Sequence, residues 1–147
     1  MTESLAMIIN LIDHFGFVSE EYSLDLTKYR YDRRGFGNLD AVFENKELLL
    51  RFTLEKGQLY LHAASAAYPQ EWYSIHRLVR YLSRRGEQLA QEEQNTDYWR
   101  FGAALETQYK VAAAQMRRIL QPLLALFSGR ELEMTRAELR PFARTLN

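Results

Sequence analysis

The stretch KYRYDRRGFGN, residues 28–38, concentrates side chains that can bind an anion, a base or a partner protein. It contains four cations, three aromatic residues and two glycines, and its formal charge is +3. Arginine neutralises phosphate and aromatic rings stack on bases, but the same residue types also anchor protein interfaces. Its GFG lacks both the third glycine and the Lys-Ser/Thr ending of a phosphate loop. We therefore expect turn glycines, with Arg33, Arg34 and Phe36 available to a partner.

Asp40, Arg51 and His62 form the most enzyme-like combination, because the strands predicted below place them side by side on one sheet face. A carboxylate flanked by arginine and near histidine can act as a general acid or base. The same row is also an ordinary set of cross-strand charge pairs on a solvated face, each contributing about 0.2–1 kcal/mol. We favour this second interpretation and predict no catalytic residue.

Other chemistries lack the residues that they need. The chain has no cysteine, which excludes disulfides and thiolate metal ligands. Its three histidines, His14, His62 and His76, fall in three different predicted elements without a His-x-x-x-His pair. No serine lies in a G-x-S-x-G context. We predict no metal site, no cofactor and no enzymatic activity.

The elements that would position these side chains begin with an amphipathic helix. Thr2 is a candidate N-cap, and Gly16 is a candidate left-handed residue at the C-terminal end. The apolar residues at helical spacing between them are Leu5, Ile8, Ile9, Ile12 and Phe15. From Tyr22 to Ala63 the apolar period changes to two, which predicts strands.

Two short turns set the predicted register of the sheet. ENKE and EKGQ each place a two-residue turn, Asn45-Lys46 and Lys56-Gly57, between alternating runs. The resulting pairs are all apolar and share one face: Phe43 with Leu48, Ala41 with Leu50, Leu39 with Phe52, Leu54 with Leu59, and Phe52 with Leu61. A slip of one residue would place charges on that face.

The opposite face carries the Asp40 row and, next to it, Thr53 beside Tyr60. Val42 and Leu49 also lie there, and they are apolar enough to require cover by the C-terminal helices or by a partner. In the preceding strand, YSLDLTKYRY, a β-bulge would change the phase and bring Arg30 into the Asp40 row. Without it, the cations would extend beyond the end of the sheet.

Helical spacing returns after Ala63. We expect Pro69 in the first turn of a helix that ends at Gly86. Its apolar stripe is Trp72, Ile75, Leu78, Val79 and Leu82, and its basic stripe is Arg77, Arg80 and Arg84. A helix of about thirty residues follows, from Phe101 to Phe127, which Pro122 should kink or split. Thr135 and Glu138 match a capping box for a final helix.

These elements predict an α+β fold in a single domain over residues 1–147: an N-terminal helix, an antiparallel β-meander of about four strands, and C-terminal helices packed on one sheet face. At 147 residues, 47% hydrophobic, the chain can bury a core. Nineteen basic residues balance nineteen acidic ones, so the whole chain has no general attraction to nucleic acid or anionic lipid. The N-terminus lacks signal-peptide features, and no run approaches the roughly 20 apolar residues of a membrane span. We expect a cytoplasmic protein without a membrane partner.

The run FGN…F…LLLRF…KGQLYL…EWYSIHRLVRYL, residues 36–82, resembles small bacterial α+β proteins that accompany polymorphic or contact-dependent toxins as immunity proteins. This resemblance covers about a third of the chain. It implies a cytosolic protein that binds and neutralises a cognate toxin without catalysis, and it assigns no individual residue. The small size and the helix-sheet-helix order also resemble type III secretion chaperones, which tend to be acidic, whereas this chain is neutral.

The leading hypothesis is therefore a non-enzymatic protein-binding module, an immunity-type inhibitor whose toxin partner presents an acidic surface. The alternatives are a nucleic-acid-binding module that uses the basic-aromatic loop, and a secretion-chaperone-like protein. The candidate partner-binding residues are Arg30, Arg33, Arg34, Phe36, Asp40, Arg51, Tyr60, His62, Arg77, Arg80 and Arg84. The oligomeric state stays open.

Overall fold

The computed structural model of the chain describes residues 3–33, 38–85 and 104–146. Within them, the helices are α1 (Glu3–Phe15), α2 (Phe17–Tyr22), α3 (Ile75–Arg84), α4 (Leu105–Leu126) and α5 (Glu131–Leu139), followed by a 3-10 turn at Arg140–Phe142. The strands are β1 (Asp25–Asp32), β2 (Asn38–Glu44), β3 (Leu48–Glu55), β4 (Gln58–Ser65) and β5 (Tyr73–Ser74). They form one antiparallel sheet in chain order. The predicted α+β architecture is confirmed, with a short fifth strand added.

The second hairpin has the predicted register. Lys56 and Gly57 both adopt positive φ, 51° and 78°, as a tight two-residue hairpin turn requires. Phe52 consequently pairs with Leu61.

The first hairpin differs from the prediction by two residues. The Asn45 side-chain oxygen accepts hydrogen bonds from the backbone N–H groups of Glu47, at 2.8 Å, and of Leu48, at 2.9 Å. These bonds move the turn one residue along the chain, so that Ala41 pairs with Phe52 and not with Leu50. Because side chains alternate with a period of two, a shift of two residues leaves every side chain on its predicted face.

The bulge considered for β1 is present. Its register shifts between Leu26 and Lys28, and beyond the shift Arg30 pairs with Asp40. The hypothesis that a bulge brings Arg30 into line with Asp40 is therefore confirmed.

The core lies between one sheet face, here called the inner face, and the helices. Phe52 is fully buried there and contacts Phe15 of α1, with ring centroids 4.6 Å apart. Gln108 of α4 is also fully buried. It accepts a hydrogen bond from the Leu59 N–H at 2.9 Å and donates one to the Gly57 carbonyl at 2.9 Å. These bonds attach α4 to the second hairpin and satisfy backbone groups that would otherwise be buried without partners.

The N-terminal helix departs from the prediction at its end and on its surface. Gly16 is not left-handed but helical, with φ −59°, and a Cβ there would lie 2.7 Å from the Ile12 carbonyl oxygen. Glycine is required by this close approach, and Ser23 takes the left-handed conformation instead, with φ 58°. The predicted apolar stripe is only partly buried: Phe15 is fully covered, whereas Leu5, Ile9 and Ile12 are exposed.

The helix expected from Pro69 begins later, at Ile75. The Ser74 hydroxyl accepts a hydrogen bond from the Arg77 N–H at 3.2 Å, which makes Ser74 the N-cap. Trp72 therefore precedes the helix, and its assignment to the helical stripe is wrong. Its backbone pairs with Arg144, and its side chain packs in a cluster apart from the core.

The prediction that Pro122 kinks or splits the long helix is contradicted for the split, because α4 runs unbroken from Leu105 to Leu126; the predicted starting point Phe101 lies outside the described residues. The capping prediction for the final helix is wrong, because Thr135 does not cap it. It is fully buried in the middle of α5, because this helix begins four residues earlier at Glu131.

Candidate functional site

The sheet face opposite the helices, here called the outer face, carries five of the eleven predicted site residues. Its strands bring Arg30, Asp40, Thr53 and Tyr60 into one cross-strand row. The next row contains Lys28, Val42, Arg51, His62 and Ser74. The predicted alignment of Asp40 directly with Arg51 is therefore wrong, because the turn at Asn45 shifts β3 by two residues relative to β2.

Asp40 and Arg51 nevertheless form an ion pair, because the long arginine side chain reaches diagonally between the rows. Arg51 Nε donates to Asp40 Oδ1 at 2.8 Å, and its terminal nitrogen donates to Oδ2 at 2.5 Å. Thr53 Oγ1 also donates to Asp40 Oδ1, at 2.9 Å. The arginine side chain is 11% exposed and the aspartate 30%. Both oxygens of Asp40 accept hydrogen bonds from side chains of the neighbouring strand β3. Asp40 is therefore better placed to orient Arg51 than to move a proton.

His62 lies beside Arg51 in an electropositive, partly desolvated environment. The pKa of the His62 imidazole is lowered to about 4, first by burial and then by the charges of Arg144, Arg51 and His76, while Asp40 acts in the opposite direction. Its Nδ1 atom is buried and has no hydrogen-bond partner among the described residues. His62 is therefore neutral at pH 7.

The apolar part of the outer face is covered by the end of the chain. Val42, Leu49, Ala64 and Trp72 form a buried cluster, here called the outer cluster, separate from the main core. Leu146 packs against it. We call residues Ala143–Leu146 the tail.

The tail is attached to the chain before β5 by a reciprocal pair of backbone hydrogen bonds. Trp72 N–H donates to the Arg144 carbonyl at 3.0 Å, and Arg144 N–H donates to the Trp72 carbonyl at 2.8 Å. Val42 and Leu49 are therefore packed with Trp72 and with Leu146 of the tail, and none of the residues of this cluster belongs to a described helix.

Next to the tail, the outer face contains an open groove of about 440 Å³. Its described lining combines charged strand residues with an apolar wall and comprises Lys28, Tyr29, Arg30, Asp40, Val42, Glu44, Leu49, Arg51, Pro69, Gln70, Trp72 and Leu146. A smaller depression of about 180 Å³ adjoins it at Arg30 and Asp40. An apolar floor with a charged rim is the usual composition of a protein-binding surface.

The predicted site residues divide into three groups. Arg30, Asp40 and Arg51 line the groove, and Tyr60 and His62 lie on the same face. Arg33 is exposed just past the end of β1, and Arg34 and Phe36 lie outside the described residues.

The third group is the basic stripe of α3, which lies elsewhere. The apolar residues of this helix join the inner core, so Arg80 and Arg84, both exposed, belong to the other layer of the fold. Arg77 has a partner of its own, since its guanidinium lies 3.9 Å from the centre of the Phe142 ring. Within the part of the chain that the structure describes, Arg80 and Arg84 therefore do not join the cations of the groove in one patch.

Several residues of the groove were not placed there by sequence reasoning, among them Lys28, Trp72 and Leu146. Lys28 joins the outer face only because of the bulge in β1. The available signal for Trp72 was Ser74, whose N-cap preference starts a helix after Trp72 and not before it. Leu146 carries no local pattern that links it to β2 and β3.

The described ranges contain no group of three or more histidine and acidic residues placed to hold a metal ion. None of their helices combines the length and the apolar character that crossing a bilayer requires.

Comparison of the chain with protein-family models, with curated proteins and with solved structures finds no match.

Proposed function

We propose that this protein is a non-enzymatic binding module that recognises a protein partner through the groove of its outer face. The observation that carries the proposal is the uneven cover of the sheet. The inner face is packed under helices, whereas the outer face has an apolar cluster, a short tail over part of it and an open groove beside the tail. Such a groove offers a partner both an apolar floor and charged groups for orientation.

The electrostatics of the groove support a protein partner over a nucleic acid. Arg51 is held by Asp40, and Glu44 adds a second acidic group to the lining. Lys28 and Arg30 are exposed cations at the rim. A phosphate backbone requires several cations without counter-charges, while a mixed rim of this kind suits a complementary protein surface with an acidic region.

The same arrangement argues against proton-transfer chemistry at the Asp40 row. Asp40 accepts three hydrogen bonds from Arg51 and Thr53. These bonds occupy both of its carboxylate oxygens with neighbouring side chains of β3. We therefore retain the prediction of a protein without catalytic activity.

The more specific form of the proposal is an immunity-type inhibitor. It rests on the resemblance of residues 36–82 to immunity proteins and on the groove as a place where a toxin would bind. In this form the protein would occlude an acidic region of its toxin in the cytoplasm. Co-expression with the product of the adjacent gene should protect cells from that product, whereas an adjacent product that is neither toxic nor bound would contradict this form.

Charge reversal tests the broader proposal. Lys28→Glu with Arg30→Glu changes the groove rim, and Arg80→Glu with Arg84→Glu makes the same change of charge on α3, which belongs to the other layer. Purified from the cells that make it, the first variant should lose its co-isolated protein and the second should retain it. Retention by both variants, or loss by the α3 variant alone, would contradict the proposal.

A further inference from the structure

The tail of the free protein resembles a bound peptide. It is extended at Ala143, with φ −67° and ψ 144°, and it forms a reciprocal backbone bridge with Trp72 through Arg144. Two residues later, Leu146 contributes an aliphatic side chain to the outer cluster. A backbone bridge combined with one side chain in a pocket is how an extended peptide binds beside a strand.

Few interactions hold the tail in place. Arg144 and Thr145 are exposed, and Leu146 is only half-buried. Besides Ala143, which packs against the main core, only the two bridge hydrogen bonds and this one leucine are seen to offset the conformational entropy of ordering the described tail. A small net stability means that a competing segment does not need high intrinsic affinity to replace the tail.

The tail carries the same charge as the groove rim beside it. Leu146 lines the groove together with Lys28 and Arg30, which are exposed cations. Arg144, two residues before Leu146, is a further exposed cation next to this groove. An acidic residue at the position of Arg144 would complement the rim better.

The open edge of β1 is a less suitable place for an added strand. Its bulge interrupts the regular ladder between Leu26 and Lys28, and its exposed residues include Lys28, Arg30 and Asp32. Bulges and charges are the features by which natural sheets protect their edges from pairing. The bridge at Trp72, in contrast, lies next to the groove, since both Trp72 and Leu146 line it.

We propose that the tail occupies in cis a peptide-binding site, made by the outer cluster and the Trp72 backbone, that takes an extended acidic segment of the partner. The segment presents an acidic residue where Arg144 lies and an aliphatic residue two positions later, and it displaces the tail. This inference rests on the proposed function, because it identifies the part of the partner that enters the groove region.

Synthetic peptides test the site without the natural partner. The probes are a fluorescein-labelled octapeptide of residues 140–147, RPFARTLN, and the same peptide carrying Arg144→Glu. The proteins are the full chain and its Leu146→Asp variant, in which the tail should leave the outer cluster. Thr145→Asp is the matched control, because it adds the same charge at an exposed tail position.

In fluorescence anisotropy, Leu146→Asp should bind both peptides at least tenfold more tightly than the wild type and Thr145→Asp do. The Arg144→Glu peptide should bind several-fold more tightly than RPFARTLN, with a difference that shrinks in 0.5 M NaCl. A folded Leu146→Asp variant that binds the peptides no more tightly than the wild type would overturn the inference. Equal binding of the two peptides would overturn the acidic preference.

A measurement on the wild type covers the case in which Leu146→Asp fails to fold. Millimolar Arg144→Glu peptide should accelerate hydrogen exchange at the Arg144 amide, because displacement breaks its bond to Trp72. Unchanged exchange at saturating peptide would overturn displacement. If the peptides bind but charge reversal in the groove leaves partner capture unchanged, the proposed function is contradicted while the peptide site is retained. If the partner is captured even in the presence of the displacing peptide, only the inference is contradicted.

Discussion

The two faces of the sheet belong to the same strands but are covered in different ways. The inner face packs against α1, α3, α4 and α5, and its central side chains, such as Phe52, are fully buried. The outer face combines a small apolar cluster, against which Leu146 of the tail packs, with a groove lined by an ion pair and exposed cations. The inner face therefore supplies the stability of the fold, and the outer face has surface available for recognition.

The largest expected effect is on the inner face. Phe52→Ala removes a fully buried ring that contacts Phe15 and Phe43, and it should lower the free energy of unfolding by about 3–5 kcal/mol. Val42→Ala in the outer cluster should cost only about 1–2 kcal/mol. Urea denaturation of both variants compares the faces directly. Equal losses in the free energy of unfolding would show that the outer cluster contributes as much to stability as the inner face does.

The next effect concerns the ion pair on the outer face. Asp40→Ala leaves the largely buried Arg51 guanidinium without its carboxylate, which should cost about 1–3 kcal/mol after allowance for the partial exposure of Asp40. Adding Arg51→Met should recover at least half of this loss, because the uncompensated charge is then gone. A double variant no more stable than Asp40→Ala would show that Arg51 stabilises the face mainly through its other contacts.

A smaller effect should appear as pH dependence. The His62 imidazole has a pKa of about 4 in the folded protein and about 6.5 when unfolded. Between these values the unfolded state binds the additional proton, so the free energy of unfolding should fall as pH drops from 6.5 to 4 and should keep its full value above 6.5. The histidine contribution should be about 1–2 kcal/mol, allowing for its partial exposure. His62→Gln should lack this part of the slope, and an unchanged slope would contradict the desolvated environment of His62.

The smallest expected effect on stability belongs to the groove rim. Lys28→Glu with Arg30→Glu should change the free energy of unfolding by no more than about 0.5 kcal/mol, because both side chains are exposed. Thermal unfolding measures this change. A large loss of stability would mean that these cations hold the sheet together and would remove the contrast between a structural face and a binding face.

The elements of the fold could be predicted where local chemistry decides the outcome. The Lys56-Gly57 turn allowed the register of the second hairpin to be predicted, because both residues adopt the positive φ of a two-residue turn. The first hairpin slipped by two residues because the Asn45 side chain captured two backbone N–H groups, yet the faces were right, since a two-residue slip preserves them. The apolar alternation therefore predicted which residues share a sheet face better than it predicted which residues pair across the strands.

The candidate site could be predicted only in part, for a different reason. The alternation of β2 and β3 already placed Asp40 and Arg51 on the outer face. The tail comes from about 80 residues beyond the end of β4, and nothing in the local pattern of Leu146 says that it will pack on Val42 and Leu49. Likewise, Leu5, Ile9 and Ile12 are apolar but exposed, because the helical period identifies an apolar arc and not the part of it that meets the sheet.

Site-specific photo-crosslinking tests the central claim, recognition of a protein through the outer face, most directly. The chain contains no cysteine, so Lys28→Cys and Arg84→Cys each create one labelling position, on the groove rim and on the helical layer respectively. With benzophenone-maleimide attached and light applied in the presence of cell extract, Lys28→Cys should give a discrete protein adduct and Arg84→Cys should not. The same adduct from both positions, or an adduct from Arg84→Cys alone, would contradict the account.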